Sequence, residues 1–135
     1  MKTIKIFLAS SEELANDRNA FGNFVRRLDD IYEKRRIRIK LEPWEDFDAA
    51  YNNRRKQDEY NDKVRASDMF LALFYKNAKN FTIEEFNVAV EEYIRTKKKP
   101  KNYVYCRELK DGEQESPELT KFKSRLSNEL KYYWC

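Results

Sequence analysis

The run MFLALFY, Met69–Tyr75, decides the fold. It is the most hydrophobic stretch of the chain, and it is apolar at successive positions instead of alternate ones. A strand of that kind is buried on both faces, which happens in parallel sheets covered by helices on either side. Ile4–Ala9, IKIFLA, is a second short run rich in β-formers and reads the same way. Between the two, Ser10 and Glu13 have the spacing of a capping box. They are expected to open a helix that runs to about Arg35. Its apolar positions Phe21, Phe24, Val25, Leu28, Ile31 and Tyr32 follow the i, i+3, i+4, i+7 rule. Ile37–Leu41 reads as another strand, followed by the polar and aromatic loop EPWEDFDAAYNNRR and a short helix over Lys56–Ser67.

Beyond the central run, KNAKN is a loop and Thr82 is expected to cap a helix reaching about Thr96, with Phe86, Ala89, Val90 and Tyr93 inward. Tyr103–Cys106 is a fourth strand, Asp111–Glu118 a turn-rich loop and Leu119–Leu130 a last helix. Tyr132–Cys135 would be a fifth strand. Strand and helix thus alternate five times. The fold class expected is α/β, a flavodoxin-like three-layer sandwich with a five-stranded parallel sheet and right-handed crossovers. Residues 1–135 form one domain, without internal repeat or linker. An aromatic strand that stops at the last residue is an unusual terminus, so the domain is expected to belong to a longer, multidomain protein.

Composition narrows the chemistry. Hydrophobic residues make up 41% and charged ones 39%, which describes a packed core under an ionic surface. No apolar run approaches the ~20 residues of a membrane span. The first residues do not form a signal peptide, because their apolar stretch runs straight into Glu12 and Glu13. Two cysteines, Cys106 and Cys135, give no disulfide framework. The expectation is a cytoplasmic protein. The chain has no histidine, which excludes Ser-His-Asp and Cys-His catalysis and zinc sites built on His and Cys. Two glycines, Gly22 and Gly112, cannot spell a dinucleotide fingerprint or a P-loop. Net charge is +4, but 28 basic and 24 acidic residues are largely interspersed. The densest basic run, Arg95–Lys101, reads as a solvated connection, so a nucleic-acid partner is not expected.

Open parallel sheets bind ligands beyond the carboxyl ends of their strands. Here those ends carry Ser10 and Ser11, Trp44–Asp46, Tyr75–Asn77 and the helix start Thr82–Glu85. Glu84 and Glu85 differ in phase. Glu85 lies four residues before Ala89 and flanks the buried stripe, whereas Glu84 falls on the solvated side. Thr82 and Glu85 also have capping-box spacing, so Glu85 can be a cap, a site residue or both. Ser10 and the N–H groups after it suit a phosphate, or Ser10 only caps. Trp44 and Tyr75 can stack on a flat ring, or pack at the rim. Glu45, Asp46 and Asp48 read as a solvated loop, and no metal is expected.

In order along the chain, KIFLASSEEL, WEDF, QDEYN, DMFLALFY and FTIEEFNVA resemble the TIR (Toll/interleukin-1 receptor) domains of bacterial immune proteins, over essentially the whole length. The resemblance implies an enzyme that cleaves NAD+ at the nicotinamide–ribose bond, with NAD+ as substrate and no cofactor. It further implies self-association through TIR–TIR contacts, a sensor domain elsewhere in the parent chain, and a place in anti-phage or cell-suicide signalling. By the family's motif the catalytic glutamate is Glu85, on the helix after the third strand and before Phe86. The family's pocket-shaping loop corresponds to Glu42–Arg55. Where the family commonly has K-x-G-x-Y/F-T, this chain has KNAKNFT. The site residues expected to contact substrate are Ser10, Ser11, Trp44, Asp46, Tyr75 and Thr82. Two alternatives stand beside this reading. Some TIR domains are non-catalytic assembly modules, and nucleoside 2-deoxyribosyltransferases also pair a KIFLA-like first strand with a carboxylate acting at a glycosidic bond.

Overall fold

A computed structural model describes residues 1–10, 12–42, 54–77 and 80–128. Four strands are present among them: β1 (Lys2–Ser10), β2 (Ile37–Glu42), β3 (Met69–Phe74) and β4 (Lys101–Cys106). Four α-helices alternate with them: α1 (Ala15–Glu33), α2 (Arg54–Ala66), α3 (Asn80–Thr96) and α4 (Pro117–Asn128). All pairings are parallel and the strand order is β2-β1-β3-β4. The fifth strand expected over Tyr132–Cys135 lies outside the described residues.

The two central strands bury both faces, as their unbroken apolar runs require. Phe7, Ala9, Phe70, Ala72, Phe74 and Val104 point to one side. There they meet Tyr60 and Val64 of α2, Phe86 and Ala89 of α3, and Leu119, Phe122 and Leu126 of α4. Ile6, Leu8 and Leu71 point to the other side and meet Val25 and Phe21 of α1. The sheet is therefore sandwiched between α1 and a layer of three helices. Phe86 links α3 to the sheet and to α4, with ring centroids 6.3 Å from Phe70 and 5.3 Å from Phe122.

Several local expectations are corrected. Ser10 and Glu13 do not form a capping box: a 3-10 turn, Glu12–Leu14, intervenes, and α1 begins at Ala15 without a side-chain cap. This helix stops at Glu33, before a turn in which Arg36 takes the left-handed conformation (φ 60°). Thr82 is not a cap either, because α3 already starts at Asn80 and places Thr82 inside the first turn. Pro117 instead opens α4, as a first-turn proline can, with the Ser116 hydroxyl accepting from the Leu119 N–H at 3.2 Å. Phe24, Ile31 and Tyr93, expected inside, are 47%, 63% and 38% exposed. The cause for α1 is its position. It packs chiefly over the edge strand β2, so its outer flank has no strand beneath it among the described residues.

Candidate functional site at the carboxyl edge of the sheet

The chain runs from β1 out to β2 and then returns to β3 on the other side of β1. The carboxyl ends of β1 and β3 therefore flank the point where the strand order reverses, the usual crevice of an open α/β sheet. Ser10 ends β1, and Tyr75 immediately follows β3.

Ser10 is fully buried, and its hydroxyl has no hydrogen-bond partner among the described residues. It is two residues beyond Leu8 and so faces the α1 side. The Tyr75 side chain is largely buried, and its hydroxyl donates to Glu113. Two cations lie over its ring, the Lys76 ammonium 5.3 Å and the Arg107 guanidinium 5.1 Å from the centroid. Lys76 Nζ also meets Glu113 at 3.3 Å, and Arg107 meets Asp17 at 3.3 Å. The Tyr75 hydrogen bond is the main cause that holds the Glu113 carboxyl down to about 2, helped by the Lys110 N–H. The same bond, donated to a carboxylate, pushes the Tyr75 phenol up.

Thr82 and Glu85 lie three residues apart on α3, both buried, with Glu85 fully so. Glu84, between them, is exposed. The helical phase explains this. Asn87 accepts from Arg125 of α4 at 2.7 Å, so that flank of α3 looks toward α4. Glu85 is about 200° away around the helix and looks to the opposite flank, where α2 packs. Phe86, midway, enters the core.

The structure thus brings Thr82 together with Glu85, and Ser10 together with Tyr75 along the sheet edge. It does not put all four on one face: Ser10 looks toward α1, Thr82 and Glu85 toward the layer of α2 and α3. Ser11, Trp44 and Asp46 lie outside the described residues. Among the described residues, no cluster of His, Cys, Asp and Glu could hold a metal ion. A groove of about 440 Å³ opens on the α1 side between Phe21 and Tyr105, floored by Leu71 and Leu73 and ending at Arg107. Glu85 does not line it.

Two site residues escape local sequence reasoning, Glu13 and Glu113. Glu13 accepts from the N–H groups of Lys76 (2.9 Å) and Asn77 (3.1 Å), while its other oxygen takes the Asn77 side-chain amide at 3.4 Å. The only local signal was an acid soon after a strand, which equally fits a cap.

No protein-family model matches this sequence, and no curated protein is similar to it. Among solved structures, the chain is similar to a conserved protein from Enterococcus faecalis V583. The two share 18% identity at a TM-score of 0.49, over 98% of this chain and 82% of that one.

Proposed function

We propose that this chain is a TIR-type domain that hydrolyses NAD+ at the nicotinamide–ribose bond, with Glu85 as the catalytic carboxylate. The observation that carries the reading is the contrast between the two adjacent glutamates. Glu85 is fully buried beside Thr82, whereas Glu84 is exposed. A glutamate that served only the helix start would gain as much at the surface, since dipole and capping effects need no burial. The resemblance of the KIFLASSEEL, DMFLALFY and FTIEEFNVA blocks to bacterial TIR domains supplies the reaction. The parallel order β2-β1-β3-β4 is compatible with a flavodoxin-like arrangement.

Nicotinamide leaves NAD+ as a neutral base, so the leaving group needs little acid help. The barrier lies in the positive charge that develops on the ribose. A fixed carboxylate in a dry site stabilises that charge. Water then attacks C1 of the ribose, and ADP-ribose, nicotinamide and a proton are the products. The reaction is assigned to the cytoplasm and to bacterial anti-phage or cell-suicide signalling, with self-association completing the pocket. Incubation of clustered protein with NAD+, reading nicotinamide directly, tests the reading. Release by the wild type and loss of release in Glu85→Gln support it. No release from clustered wild type overturns it in favour of a non-catalytic assembly module.

A further inference from the structure

We propose that Glu13 is a positioning residue that fixes the approach to the Glu85 helix. This rests on the reading of Glu85 as the catalytic carboxylate. Glu13 follows Ser10 by three residues, and its bonding partners Lys76 and Asn77 precede Glu85 by nine and eight. One carboxylate thereby ties the segment leaving β1 to the segment leading into α3. Both bonds are charge-assisted and main-chain-directed, the strong kind. The two N–H groups have just left the β3 ladder and not yet entered α3, so Glu13 replaces the partners that regular structure would supply.

The same loop is held from its other side. The Lys76 carbonyl accepts from Ser116 N–H at 2.8 Å and the Phe74 carbonyl from Arg107 N–H at 2.8 Å. Tyr75 is tied through its hydroxyl to Glu113. With the β4–α4 loop fixing one flank, Glu13 holds the other among the described residues. Removing it frees the segment to shift relative to β1, and the first turns of α3, which carry Thr82 and Glu85, start from that segment. Glu13 does not touch the reacting atoms in this account. It sets where Glu85 stands.

The test uses the whole chain with Glu13→Ala and Glu13→Gln, measuring amide exchange at Lys76 and Asn77 by NMR and NAD+ turnover on clustered protein. Losing a hydrogen bond to a charged group is expected to speed exchange at these two amides about tenfold or more in Glu13→Ala, while Leu8 and Phe122 keep wild-type rates. Turnover is expected to fall in kcat by about tenfold with KM within about twofold, because a misplaced carboxylate weakens the transition state more than substrate binding. Glu13→Gln retains an acceptor oxygen and is expected to recover most of both effects; if the alanine variant fails to fold, Glu13→Asp, one methylene too short to keep both amide contacts, is expected to show the faster exchange and lower kcat instead. Wild-type exchange at Lys76 and Asn77 in Glu13→Ala overturns the loop-holding role. Faster exchange with unchanged kcat overturns the positioning role. If wild type turns over no NAD+, the catalytic reading itself falls and takes the positioning role with it, while exchange still decides whether Glu13 holds the loop.

Discussion

Glu84 and Glu85 show how much one residue of helical phase decides. The same side chain is solvated at one position and fully buried at the next, because Phe86 fixes which way α3 faces. Phe86 is itself fully buried between Phe70 and Phe122, so Phe86→Ala is expected to cost about 3–5 kcal/mol, read from denaturant unfolding. This phase was legible in the sequence from the spacing to Ala89. The role of Glu13 was not, because its partners are 63 and 64 residues away and no local pattern encodes them. Glu113 carries a pH signature. Its carboxyl sits at about 2 in the fold, below its ordinary 4.5. A depressed value means that the Tyr75–Glu113 contact contributes fully above pH 4.5 and fades as pH falls through about 2. Glu113→Gln is expected to remove that part of the stability loss between pH 4.5 and 2, measured by unfolding at several pH values.

At the scale of elements, the buried strands were the most readable features, since MFLALFY and IKIFLA can only sit between two layers. Helix ends were less readable. Sequence alone offered capping boxes at Ser10 and Thr82, yet a 3-10 turn and an earlier helix start displaced both. Capping spacing is short and common, and the packing of Leu14 and Phe86 into the core outweighs its contribution of about 1 kcal/mol. The end of α1 illustrates the opposite case, a non-glycine residue forced left-handed. Arg36 has φ 60°, and its N–H is bonded to the Glu33 carbonyl. Arg36→Gly relieves about 1–2 kcal/mol of backbone strain and adds up to about 1 kcal/mol of unfolded-state entropy. A net gain near 0.5 kcal/mol is expected, visible as a small rise in Tm.

At the scale of the molecule, the sandwich is uneven among the described residues. Three helices cover one face, while α1 lies on the other and packs chiefly over the edge strand β2. This is why the helical stripe misled at Phe24 and Ile31: the periodicity was present, but α1 lies over the edge strand, and its apolar stripe is wider than the surface beneath it. Both residues are exposed, so Phe24→Ser and Ile31→Ser are expected to change unfolding free energy by no more than about 0.5 kcal/mol each. Among the described residues no helix is long and apolar enough to cross a membrane.

The central claim is that one buried glutamate of an adjacent pair breaks a glycosidic bond. The most direct measurement compares nicotinamide release from NAD+ by clustered wild type, Glu85→Gln and Glu84→Gln. Loss of a catalytic carboxylate is expected to lower release at least 100-fold in Glu85→Gln, with Glu84→Gln within about twofold of wild type because its side chain is exposed. Equal release from wild type and Glu85→Gln, or loss in Glu84→Gln alone, would contradict the account.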